Sequence, residues 1–179
     1  MIFTESILAL IAGRRGRRPV APLAALDQLF RRLAGCAGGE AVDTEERIWR
    51  VWMDHPHRAA AEALELATGD IAARRYDIAE TRLTRLLRSA PQFGEAWHKR
   101  ATLYYLLGRD AECLQDIRRT LELEPRHFAA MLHFVEILIA QGNKVAASDV
   151  RFACFAALSV HPNLERAREL FHHVAADKA

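Results

Sequence analysis

Apolar residues recur at helical spacing along most of the chain, and no useful stretch alternates between apolar and polar positions. Around residue 100, Trp97, Ala101 and Tyr104 share one face of a helix. After a break at Gly108, the second apolar stripe carries Ile117 and Leu121. This pattern of helix, short turn and helix continues on both sides, so the sequence predicts an all-α fold.

Prolines punctuate this pattern at nearly regular intervals. Pro56, Pro91, Pro125 and Pro162 are separated by 35, 34 and 37 residues, and each stands between two amphipathic runs. Proline lacks a backbone donor and disfavours the helical region for the residue before it, so one helix ends there and another begins. The spacing predicts an array of helical hairpins with a repeat of about 34 residues.

The unit "AWHKRATLYYLLGRDAECLQDIRRTLELEP" resembles the tetratricopeptide repeat (TPR). Its aromatic Trp97, small Ala101, Tyr104, turn residue Gly108 and closing Pro125 stand at the family's offsets, and Cys113 takes a small-residue position. The resemblance extends over about residues 60 to 162. It implies a TPR-type α-solenoid of antiparallel helix hairpins, closed by a C-terminal capping helix.

Two neighbouring units depart from the family pattern. The first has Asp70 where a large aromatic residue is usual, and Arg74 where glycine is usual. In the last, the distance from Gly142 to Pro162 is three residues too long, which predicts one added turn in the second helix.

These observations predict the organisation of the whole chain. A basic tail or linker precedes a degenerate helical hairpin, three repeats follow, and a capping helix closes the array. The segments are 1–22 for the tail, 23–58 for the hairpin, 59–162 for the repeats (about 59–92, 93–126 and 127–162) and 163–179 for the cap and its tail.

Composition and charge exclude only a few classes of partner and location. The chain of 179 residues has a formal net charge of +2, which does not suggest a nucleic-acid partner. The apolar stretch at the start is too short to span a bilayer, which predicts no stable membrane insertion. The arginines at 14, 15, 17 and 18 allow weak contact with an anionic surface but fit a solvated linker better. The missing signal pattern favours the cytoplasm, whereas the family resemblance leaves the periplasm open.

Residues that suggest chemistry also have structural interpretations. "DHPH" at 54–57 is in phase with the proline turns, and the histidines at 172 and 173 lie on the polar face of the capping helix. His127 and His133 are six residues apart, on different faces of a helix. No metalloprotease, nucleophile-elbow or phosphate-loop motif occurs. We therefore expect no catalytic residues, metal or cofactor.

Arg100 stands where a leucine is usual, so its side chain is expected to be partly packed. A buried charge needs a counter-ion. Asp116, on the second helix of the same repeat, is the predicted partner.

The resemblance implies that the first helix of each repeat lines a concave groove that binds a peptide or helix of a partner protein. The family's clamp for a C-terminal carboxylate is not matched, because only Lys99 among its positions is a strong cation. A mixed groove of this kind suits a mostly apolar peptide with some acidic character. The expected lining is Leu64, Thr68, Ile71, His98, Lys99, Thr102, Tyr105, Leu132, His133, Glu136 and Ile139.

The sequence therefore predicts a non-catalytic adaptor or scaffold. The alternative is a chaperone that shields apolar segments of secretion or assembly clients. Neither the partner nor the oligomeric state can be read from these patterns.

Overall fold

A computed structural model describes residues 2–13, 24–141 and 153, and these residues form helices joined by short turns. The helices are α1 (Ile2–Ala12), α2 (Ala24–Gly35), α3 (Gly38–Met53), α4 (Arg58–Ala72), α5 (Tyr76–Ser89), α6 (Gly94–Leu106), α7 (Asp110–Leu123) and α8 (Phe128–Gln141). No strand occurs among the described residues. The predicted all-α fold is therefore confirmed.

The helices from α5 onward keep the predicted period. α5 and α7 begin at Tyr76 and Asp110, and α6 and α8 begin at Gly94 and Phe128, so each pair is offset by 34 residues. The described prolines 56, 91 and 125 stand in the turns before α4, α6 and α8. α4–α5 and α6–α7 are complete hairpins, and α8 is the first helix of the next unit.

Apolar cores join neighbouring units of this array. One core lies among α4, α5 and α6, where Leu64, Leu83 and Leu103 are fully buried. A second lies among α6, α7 and α8, where Ile117 and Phe134 are fully buried. Cys113 is a buried thiol in that second core, as predicted, and burial raises its pKa to about 12.

The predicted pairing of Arg100 with Asp116 is confirmed. Arg100 Nε lies 2.7 Å from Asp116 Oδ2, and its Nη2 lies 2.9 Å from Asp116 Oδ1. The carboxylate is only 1% exposed, so the two parallel hydrogen bonds supply the counter-charge that burial demands. The pair joins α6 to α7 within one repeat.

The prediction of a tail or linker over residues 1–22 is wrong for its first part, because Ile2–Ala12 is a helix. Ile7 and Ile11 are four residues apart, so they share a face, and both are buried in the core of α7 and α8. α1 therefore adds a helix to the array. The four arginines that follow it lie outside the described residues.

The N-terminal hairpin α2–α3 has an apolar core of its own. Leu26, Leu33 and Ile48 are buried between its two helices, and Phe128 at the start of α8 joins that core. Met53, at the end of α3, packs against the core of α4–α5.

Several expectations fall on residues that the structure does not describe. They include Gly142, Pro162, the added turn before it and the capping helix at 163–179. Ala153 is helical and buried against α7 and α8. None of the described helices has the length and hydropathy needed to cross a bilayer.

Candidate functional site

Most of the expected groove residues are partly accessible. Nine of the eleven positions are half-buried: Thr68, Ile71, Lys99, Thr102, Tyr105, Leu132, His133, Glu136 and Ile139. They belong to α4, α6 and α8, the first helices of successive repeats. The remaining two positions differ from the expectation.

Leu64 and His98 are not accessible surface. Leu64 is 0% exposed because it packs in the core with α5, and His98 is 3% exposed. The indole of Trp49 on α3 covers His98, with ring centroids 6.0 Å apart, and it also lies 5.2 Å from the ammonium of Lys99. The N-terminal hairpin thus occupies this part of the concave face.

A buried carboxylate, Glu95, organises the covered region. Its Oε1 lies 3.4 Å from His98 Nδ1 and 3.2 Å from Lys99 Nζ, while its Oε2 lies 2.8 Å from His127 Nε2. Burial disfavours ionisation of Glu95, but the two imidazoles outweigh this effect and hold its pKa well below the usual range. The ionised side chain of Glu95 therefore links the start of α6 to the start of α8.

The hydrogen bonds of His127 define its tautomer. The backbone N–H of Ala130 donates to His127 Nδ1 at 3.2 Å, so the neutral ring carries its proton on Nε2 and donates to Glu95. His127 immediately precedes α8, and its ring nitrogen accepts from a free N–H of the first turn. The indole of Trp52 stacks on this imidazole at 4.1 Å and 10°.

Burial favours the neutral form of His98 and His133. Burial lowers the pKa of His98 to about 4 and that of His133 to about 3. Their rings are stacked with centroids 5.1 Å apart, and Tyr105 also stacks on His133 with centroids 5.8 Å apart. His98 Nε2 and His133 Nδ1 are buried without a hydrogen-bond partner.

Glu95, His98 and His127 are close enough to suggest a metal site, since one ligand atom from each lies within 4.8 Å of the others. Their present contacts favour a different role. A metal ion would have to displace the Lys99 ammonium from Glu95 and remove the proton that His127 donates. The geometry therefore favours a hydrogen-bonded network that fixes the hairpin and the groove helices together.

The predicted groove lining does not include the residues that cover it. The sequence assigns Trp49 and Trp52 to the degenerate N-terminal hairpin, and it gives Glu95 no functional role. The available signal was the spacing of the two tryptophans, which places both indoles on one side of α3. The spacing alone does not say which surface that side contacts.

A second surface lies on the first complete hairpin of the array. α4, α5 and the turn before α4 form an open groove of about 760 Å³. Its floor is apolar and includes Ala60, Ala63 and Leu86, with Ile78 49% exposed at its edge. Its polar rim consists of His55, His57, Asp77, Thr81, Arg82, Arg85 and Ser89.

This groove is open because of where the N-terminal hairpin packs. In a continuous repeat array, each unit covers the face of the next one. Here Trp49 and Trp52 of α3 lie against His127 and Phe128, at the beginning of α8. No residue of α2 or α3 therefore lines the groove of α4–α5.

Comparison with known proteins agrees with this architecture. No protein-family model matches the chain. The chain is 30% identical over 123 residues to a TPR repeat-containing protein of Rhizobium etli, an alignment that covers 68% of this chain. The chain spans 60% of the length of that curated relative. This similarity and the 34-residue offset of the helices support placing the chain among TPR-like α-helical repeat proteins.

Proposed function

We propose that the protein is a non-catalytic interaction module that binds an α-helical segment of a partner protein in the open groove of α4–α5. Proteins built from such repeats are in general protein-interaction modules. The observation that carries the proposal is the groove itself, because it is the face of a repeat that a neighbouring helix would otherwise cover.

The shape of the groove suits a helix. Ala59, Ala60 and Ala63 on α4 are small residues, which allow a second helix to approach closely. Ile78 and Leu86 on α5 supply apolar surface opposite them. An amphipathic helix could therefore bury its apolar face between α4 and α5, as helices do in other hydrophobic grooves.

The rim favours an acidic flank on that helix. Arg82 and Arg85 both line the groove on α5, and Arg88 follows on the same helix. Asp70 holds Arg82 in place, with its Oδ2 3.0 Å from Arg82 Nε. Carboxylates along one edge of the partner helix would face this arginine row, which favours correct orientation and faster association.

The proposed contact surface, the groove of α4–α5, differs from the concave groove that the sequence predicts. His98 and Lys99 are already in contact with Trp49 of α3. Glu95 and His98 are also buried and held in contacts with neighbouring side chains, which supports a non-catalytic role. The half-buried concave positions, such as Tyr105 and Glu136, are the alternative contact surface for the same partner.

Site-specific photo-crosslinking tests the choice of surface. A benzophenone side chain at position 78 is expected to crosslink the partner, whereas one at position 105 is not. With the partner segment then purified, Ala63→Trp should weaken binding at least about tenfold, because an indole fills the groove. The matched control is Ala111→Trp, which adds the same side chain at an exposed position of α7. Crosslinking from position 105 alone, or unchanged affinity in Ala63→Trp, would overturn the proposal.

A further inference from the structure

The interface between α3 and the concave face contains unsatisfied polar groups. Among the described residues, the buried side-chain atoms without a hydrogen-bond partner are Trp52 Nε1, His98 Nε2 and His133 Nδ1. Trp52 stacks within this interface, His98 lies under Trp49, and His133 stacks on His98. Unsatisfied buried polar groups are rare in folded proteins and costly, so Trp52 Nε1 and His98 Nε2 lower the stability of the α3 interface.

The contacts that hold α3 on this face are aromatic and polar. Trp52 stacks on His127, and Trp49 meets Phe128 edge-on with centroids 5.9 Å apart. Trp49 also faces the ammonium of Lys99. At the edge of the hairpin, Arg126 Nη1 lies 2.6 Å from Asp27 Oδ1.

The hairpin can leave this face without dismantling most of the apolar cores. α2 and α3 bury Leu26, Leu33 and Ile48 against each other, and the repeats keep their own cores. The connection to α4 is the turn at 54–57, which is largely exposed. The hairpin is therefore a tethered unit that is seated on the array.

We propose that the concave surface of Lys99, His127 and Phe128 is a binding site for a helix that carries two aromatic side chains three residues apart. α3 is its intramolecular occupant, and a partner helix with the same aromatic pair displaces it. The spacing is that of Trp49 and Trp52, which places two flat rings on one face of a helix. Imidazole stacking and the interaction of a ring face with an ammonium select aromatic over aliphatic side chains. This site is distinct from the α4–α5 groove, so the proposal goes beyond the proposed function.

A peptide competition experiment tests this inference. The probe is a fluorescent peptide of residues 38–53, and its control carries alanine in place of both tryptophans. The protein is the full chain with Trp49→Ala and Trp52→Ala, which weakens the seat of its own hairpin. We expect this variant to bind the tryptophan peptide at least about tenfold more tightly than the wild-type chain does, because the site is no longer occupied. The alanine peptide should bind the variant at least about tenfold more weakly than the tryptophan peptide.

Further variants locate the binding. Adding His127→Ala to the double variant should reduce peptide affinity about tenfold. Ala63→Trp, which blocks the α4–α5 groove, should leave the affinity for the tryptophan peptide unchanged. This inference and the proposed function can therefore fail separately. If the double variant does not fold, Asp27→Ala in the full chain loosens the hairpin by removing its bond to Arg126. That variant should then bind the tryptophan peptide more tightly than wild type does.

Three results would overturn the inference. The first is no peptide binding by a variant whose circular dichroism shows a folded helical protein. The second is equal affinity for the two peptides or for the two proteins. The third is a dimer in which hairpins exchange between copies of this chain, since the occupant would then be a second copy.

Discussion

The turn before the second helix of each complete hairpin contains a residue with the same left-handed backbone conformation. Gly108 has a φ of 68° and Arg74, 34 residues earlier, has a φ of 57°. This left-handed conformation is readily available to glycine but costs a residue with a Cβ about 1 kcal/mol. Arg74 stands where glycine is usual in the family, and the turn keeps its left-handed conformation despite the arginine.

Arg74→Gly is therefore expected to stabilise the protein by up to about 1 kcal/mol, since relief of backbone strain exceeds the added flexibility of the unfolded chain. Urea unfolding followed by circular dichroism measures the change. The matched control is Gly108→Ala, which introduces a Cβ at the equivalent turn and should destabilise by a similar amount. A loss of stability in Arg74→Gly would show that the side chain of Arg74 contributes more than its strain costs.

Burial of individual residues was predicted well only where the partners are near in sequence. The pairing of Arg100 with Asp116 was found because both belong to one repeat, whose geometry the resemblance supplies. The burial of His98 was missed because the covering residue, Trp49, lies on a separate hairpin. Its position depends on how that hairpin packs, which no local pattern states.

At the scale of elements, α1 is the largest difference from the sequence prediction. The sequence predicts a basic tail or linker for this segment. Ile7 and Ile11 instead complete the core around Ile117 and Phe134 of α7 and α8. A helix of 11 residues has little stability by itself in water, so tertiary contacts must hold it.

Ile7→Asp should therefore destabilise the protein by at least about 2 kcal/mol, because it places a charge in this core and removes apolar burial. Thermal unfolding and the rate of proteolysis within residues 2–12 report on the change. Ala9→Asp is the control, since position 9 is exposed on the same helix. Equal effects of the two substitutions would mean that α1 does not depend on its contact with α7.

At the scale of the whole molecule, buried histidines lie where the N-terminal hairpin meets the repeats. They make the free energy of unfolding depend on pH. His98 and His133 have folded-state pKa values of about 4 and about 3, below their ordinary value of 6.5. The unfolded chain therefore binds protons first as the pH falls. The stabilisation that comes from neutral histidines is complete above pH 6.5 and declines below it, until the folded-state values are reached.

We expect the free energy of unfolding to fall between about pH 6.5 and about pH 4, by up to about 1.4 kcal/mol per pH unit for each of the two histidines. Urea unfolding at several pH values measures this slope. His133→Phe should reduce the slope and raise stability at neutral pH, because the ring keeps its stacking and an unpartnered buried nitrogen is lost. An unchanged slope in His133→Phe would contradict the assignment.

Local spacing and backbone chemistry were enough to predict helices α2 to α8, the 34-residue period and the described proline turns. The ion pair within one repeat was predictable as well. The packing of α1 and of the N-terminal hairpin became clear only from the folded chain, since several apolar faces were available to them. That packing places Trp49 and Trp52 over Lys99 and His127. It also leaves the groove of α4–α5 open.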